Sequence, residues 1–168
     1  PAWQQKLFEA SQPLTADASK DALSEMTLLA AVMKEALRLY PPLSTLPKYS
    51  LKAFAFEGYE IPAGSMVITY PIHTHYMADY WDEPYAFKPE RFLAEHKKTD
   101  QHPYSFVPFS GGAHRCIGLH FAEMQVKLVM NEMLQRYRWS VPEGYEMPVQ
   151  QSPISKPKDG LPIVFEAR

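Results

Sequence analysis

Sixteen prolines divide this 168-residue chain, and their placement limits what it can fold into more than any other feature. Proline lacks an amide N–H and disfavours helical angles in the residue before it. It therefore ends helices and is tolerated in sheets only at edges and turns. Two long stretches escape it. Residues 24–40 set Leu28, Leu29, Val32, Met33, Ala36, Leu37 and Tyr40 at the i, i+3, i+4, i+7 spacing of an amphipathic helix, which Pro41 and Pro42 then end. Residues 119–137 repeat the pattern with Ala122, Val126, Val129, Met130, Met133 and Tyr137.

The remaining chain is short pieces. Trp3, Leu7 and Phe8 predict a short first helix, followed by a polar loop over residues 13–21. Residues 52–72 alternate and are rich in aromatic and β-branched side chains, with turns at Glu57-Gly58 and Ala63-Gly64, so one small antiparallel sheet is expected. His73 and His75 read as alternating on a strand and facing the same side, a pair that could suit a metal but is more often ordinary. One helical turn is expected near Thr74 to Asp79, then irregular structure imposed by prolines, then a polar surface loop over residues 93–105. After Trp139 the prolines allow only short strands, the last over residues 161–167. The expected class is α+β, mainly helical with small antiparallel sheets.

Composition narrows the function classes. A content of 46% hydrophobic and 21% charged residues suits a globular chain, and a net charge of −2 gives no basic field for nucleic acid. No apolar run approaches the roughly 20 residues that cross a bilayer. The single cysteine excludes an internal disulfide framework and a paired-cysteine zinc site. A cytoplasmic, soluble location is expected, with a membrane-anchored parent left open. Pro1-Ala2-Trp3 reads as the middle of something rather than a beginning.

That one cysteine, Cys116, lies in "PFSGGAHRCIG", residues 108–118. It directly precedes the second long helix, where unpaired N–H groups and aligned peptide dipoles favour a thiolate. His114 and Arg115 add positive charge nearby. Gly111, Gly112 and Gly118 carry no Cβ and let a large flat group approach the backbone. Three readings stand side by side: a buried structural cysteine, a nucleophile paired with His114 or His120, and a thiolate bound to iron.

Residues 109–118 fill every defined position of F-x-x-G-x-[R/H]-x-C-x-G, and so resemble the haem-binding signature of the cytochrome P450 superfamily. Two further segments are similar to that family in the order it requires. The first long helix carries Glu35-Ala36-Leu37-Arg38, which resembles its E-x-x-R helix, and residues 89–92, "PERF", resemble its arginine-bearing segment. Taken alone, Glu35 and Arg38 lie off the apolar stripe and read as a solvated ion pair worth about 0.3 kcal/mol. Three motifs in register extend the resemblance from about Leu28 to the end of the chain.

The resemblance implies the C-terminal part of the P450 fold, with residues 1–168 forming a single partial domain. Cys116 would be the proximal thiolate ligand of iron in haem b, its electron donation favouring O–O cleavage. The N–H groups of Ile117 and Gly118 would hydrogen-bond the sulfur, and Phe109 would shield it. Gly112 would make room for the macrocycle. His114 would pair with a haem propionate. Lys48 stands where many relatives carry an arginine for the same purpose; it keeps the charge and loses the bidentate fork. Glu35, Arg38 and Arg91 would form a buried salt network that fixes the irregular stretch.

The implied function is a haem-thiolate monooxygenase that inserts one oxygen atom from O₂ into an apolar organic substrate, with electrons from a ferredoxin or reductase. Segments 43–46 and 152–154 correspond to ones that touch substrate in relatives. Lys127, Arg136 and Arg138 read either as a basic patch for the electron donor or as a solvated helix face. Nothing in residues 1–34 resembles the family's oxygen-activating helix. The alternative is therefore a non-catalytic haem-binding or interaction fragment.

Overall fold

In the computed structural model, which describes residues 2–12, 20–96 and 102–168, the first periodic stretch is two helices. Helix α2 spans Lys20–Glu25 and α3 spans Thr27–Leu39, with Met26 between them at ψ 53°, away from helical values. Most of the expected polar loop over 13–21 lies outside the described residues, and its last two positions belong to α2. Helix α1 covers Ala2–Ser11. Helix α3 stops where its prolines demand: the Tyr40 N–H still donates to the Ala36 carbonyl at 2.8 Å, and Tyr40 itself leaves the helical region with ψ 62°.

The interior of α3 differs from its expected stripe. Leu29, Ala30, Ala31, Glu35, Arg38 and Leu39 are buried, whereas Ala36 and Tyr40 are exposed. The charged pair assigned by periodicity to solvent lies inside, because other segments cover that face. Helix α5, Leu119–Arg136, also departs from expectation. Leu134 is buried with Leu7, Met26 and Leu29, while Val129 and Tyr137 are exposed. Lys127 is buried and its Nζ lies 3.3 Å from Glu123 Oε1, so it belongs neither to a solvated face nor to a basic patch. Polar bonds tie α1 to the far end of α5: Gln4 Nε2 donates to the Trp139 carbonyl at 3.0 Å, and Gln135 Nε2 to the Ser11 carbonyl at 2.9 Å.

Among the described residues the strands form four antiparallel pairs rather than one sheet over 52–72. Strands β2 (Phe54–Phe56) and β3 (Tyr59–Ile61) make a hairpin over Glu57 and Gly58, both at positive φ as a tight two-residue turn requires. Strand β4 (Met66–Thr69) pairs instead with β1 (Leu46–Tyr49), in a register that sets Pro47 opposite Ile68. Ser50 makes the separation: its carbonyl accepts the Gly64 N–H at 2.8 Å and its hydroxyl donates to the Pro62 carbonyl at 2.8 Å. Pro47 argues against a strand in sequence, yet a two-stranded ladder has an edge that tolerates it. Strand β5 (Tyr137–Ser140) pairs with β8 (Val164–Ala167), and β6 (Val149–Gln150) with β7 (Lys156–Pro157). Among the described residues no helix is long and apolar enough to cross a membrane.

Leu134→Ala should lower the free energy of unfolding by about 2–5 kcal/mol through lost burial and a residual cavity. Val129→Ala should change it by less than about 0.5 kcal/mol. Urea denaturation of the two variants checks the assignment, and equal losses would contradict it.

Candidate functional site

Arg38 is fully buried and every N–H of its guanidinium is used. Nε and Nη2 donate to the two oxygens of Glu35 at 2.8 and 2.9 Å, a bidentate pair across one helical turn. Nη1 donates to the carbonyls of His75 and Pro84, both at 2.7 Å, and Nη2 also to that of Ala86 at 3.2 Å. The first belongs to the last residue of a short helix and the other two to irregular chain, so none has a ladder to satisfy it. The carboxylate of Glu35 is shared further. Oε1 accepts the Lys88 amide at 2.8 Å and Arg91 Nε at 3.4 Å, while Arg91 Nη2 reaches the Glu83 carbonyl at 2.9 Å. Thus α3, the 75–88 segment and the short 3-10 turn Pro89–Phe92 are joined at one buried charge cluster.

Helix α4, Pro71–His75, brings His75 to the edge of this cluster. It is fully buried, whereas His73 is exposed, so the two histidines share neither a strand nor a face. The helix starts at Pro71, where a missing N–H costs nothing. The His75 ring lies with Nδ1 3.1 Å from the Arg38 carbonyl and with Nε2 3.1 Å from the Val107 amide. The amide can only donate and the carbonyl can only accept. The ring is therefore the neutral tautomer with its proton on Nδ1. Burial, with the Arg38 charge adding to it, lowers its pKa to about 4 against the opposing bond from the Arg38 carbonyl. Trp81, also buried, donates from Nε1 to the Thr74 carbonyl at 3.1 Å and packs on Phe92 and Phe106. The Phe92 and Phe106 rings lie 4.8 Å apart, linking the 3-10 turn to the segment that leads to the cysteine.

The cysteine loop follows directly. The Ser110 N–H donates to the Val107 carbonyl at 3.1 Å and the Cys116 N–H to the Phe109 carbonyl at 2.9 Å, closing the loop on itself. Gly112 has φ +63° and nothing within 4 Å of where a Cβ would stand. At Gly111 a Cβ would lie 2.7 Å from Tyr104 Cε1, so the ring of Tyr104 uses the space glycine leaves. Cys116 is exposed, and its sulfur lies 3.8 Å from the Cβ position of Gly118, the residue that opens α5. Of the three readings of this thiol, the buried structural one is excluded. An open groove of about 980 Å³ runs between α3, the 102–112 segment and the start of α5. Cys116 does not line it.

The family model of cytochrome P450 matches residues 1–164. The chain belongs to the cytochrome P450 family. It is 33% identical to "Putative cytochrome P450 136" of Mycobacterium tuberculosis, over all of this chain and 35% of that protein. It is 34% identical to "Cytochrome P450 3A29" of Sus scrofa, over 99% of this chain and 33% of that protein. Among solved structures, "Retinoic acid bound cyanobacterial CYP120A1" matches with TM-score 0.89 and 27% identity, over 99% of this chain and 39% of that one. The chain thus spans about a third of the length of the curated P450 relatives it matches.

P450 membership implies a haem cofactor, and the loop suits one. An exposed thiol is a soft ligand for iron. Nothing lies within 4 Å of where a Cβ at Gly112 would stand, so the loop is open there. Ile117, the residue after the cysteine, and Phe121, in the first turn of α5, expose apolar surface that a porphyrin could cover. His114 is exposed in the 3-10 turn Gly112–His114, and Lys48 is exposed on β1 opposite Val67. Phe109 is half-buried. Glu35, Arg38 and Arg91 form one connected group, while Arg136 pairs along its own helix with Glu132. Trp81 and Phe106 do not figure among the sequence candidates, and His75 does so only as half of a possible metal pair with His73. A histidine in a proline-started turn, six residues before a tryptophan, was the available signal.

Removing one member of a buried charge cluster leaves the other charge unpaired. Arg38→Ala should therefore cost about 3–5 kcal/mol and abolish haem incorporation. Haem content after reconstitution checks this; normal content would refute it. The depressed His75 pKa makes the native state bind this proton less readily than the unfolded chain. Its contribution to stability is complete above the ordinary histidine pKa near 6.5 and is lost as pH falls from there toward about 4. Denaturation midpoints measured from pH 7 to pH 4 should fall more steeply for the native sequence than for His75→Leu.

Proposed function

We propose that this chain is the thiolate-bearing portion of a haem-thiolate monooxygenase and that residues 1–168 act as one partial domain of it. The observation that carries the reading is an exposed sulfur on a loop that hydrogen bonds through Val107 and His75 connect to a fully buried arginine–glutamate lock. When bound, haem b would supply activation of O₂ with electrons from a ferredoxin or reductase.

The chain's own residues do the rest. Cys116 holds the metal as thiolate, and the N–H groups of Ile117 and Gly118 temper its donation. His114 and Lys48 bind the propionates. Phe109 and Gly112 keep water off and leave space. Glu35, Arg38 and Arg91 orient the loop without touching the cofactor. The substrate is an apolar organic molecule. The Ser155 N–H donates to the Pro42 carbonyl at 2.8 Å, which brings the 43–46 and 152–154 segments together with Leu43 and Ile154 exposed. Retinoic acid in the cyanobacterial neighbour is of the same apolar kind.

Addition of haem to the chain, followed by reduction and exposure to CO, tests the reading. The strongly red-shifted Soret band of thiolate-ligated iron is expected, and Cys116→Ala should abolish it. A free-haem spectrum from the native sequence would instead support a non-catalytic interaction fragment.

A further inference from the structure

We infer that His75 is a positioning residue that couples the buried arginine lock to the cysteine loop through the Val107 amide. The inference rests on the reading of Cys116 as the metal ligand only for its functional consequence.

The bonds of Arg38 and Glu35 end at residues 75, 84, 86, 88 and 91. The bond that continues toward the cysteine is the one from the Val107 N–H to His75 Nε2. His75 is gripped by Arg38 twice: its carbonyl accepts from the guanidinium at 2.7 Å and its ring Nδ1–H donates to the Arg38 carbonyl. The ring also packs on Phe106, with centroids 5.4 Å apart and the planes tilted by 34°. Its orientation is therefore set before Nε2 meets Val107. Past Val107, two backbone bonds, Ser110 N–H to the Val107 carbonyl and Cys116 N–H to the Phe109 carbonyl, complete the path. Burial keeps the ring neutral, which the acceptor role of Nε2 requires.

The two ring nitrogens can be removed separately. In His75→Gln the amide oxygen reaches the place of Nε2 and can accept from Val107. In His75→Asn the shorter amide reaches only the place of Nδ1 and leaves Val107 without an acceptor. A residue that merely fills the core would respond alike to both. Hydrogen exchange at the Val107 amide, read by NMR, should remain near native in His75→Gln and speed up by about tenfold in His75→Asn. In the haem-loaded protein the red-shifted CO band should persist in His75→Gln and shrink in His75→Asn.

Equal exchange rates at Val107 in the two variants would overturn the inference. If His75→Asn fails to fold, His75→Gln decides alone: a folded variant with an unprotected Val107 amide overturns it, and a protected one supports it. A native protein that shows the exchange pattern but no thiolate band would sink the Cys116 reading and leave the coupling standing.

Discussion

A guanidinium taken wholly out of water is expensive unless every donor finds a partner. Arg38 meets that condition with one carboxylate and three backbone carbonyls. The carbonyls come from a segment that has turns and prolines but no ladder of its own. The same five bonds therefore settle two problems together. They neutralise a buried charge, and they fix a stretch of chain whose local sequence specifies little. The rest of the site is arranged outward from this point: the Trp81–Phe92–Phe106 cluster, the His75 ring, then the cysteine loop.

Periodicity made the two long helices legible because it reports one apolar face on a local repeat. It failed where burial is decided by distant partners. Glu35 and Arg38 read as solvent-facing, yet their partners lie 37 to 56 residues away in chain order. Lys127 failed for a different reason: it is a charged residue buried on α5 beside a local partner, Glu123, and a stripe of apolar residues does not register it. Strand β1 was hidden by Pro47, and its partner β4 was drawn to the nearer β3. The cysteine loop was the most legible part, because glycines and a lone thiol cluster within eleven residues. His75 was the least legible: neighbouring His73 suggested an alternation that a helix does not have.

The chain just after the cysteine has a consistent character. Ile117, the next residue, is exposed, and so are Phe121 and Met124 in the first two turns of α5. Isolated apolar residues on a surface need no explanation, but a sequence of them following the thiol does. Under the proposed function a flat apolar cofactor covers part of it. The lock and the open face then have complementary roles, one rigid and polar, the other bare and apolar.

Hydrogen exchange along the whole chain, compared between the native protein and Arg38→Lys, tests the central claim most directly. Lysine keeps the positive charge but brings three donors in place of a five-donor fork. The account predicts lost protection concentrated in residues 75–92 and 105–116, with α5 and the Leu7–Leu29–Leu134 core close to native. Unchanged protection in those two segments, or an even loss across the chain, would contradict it.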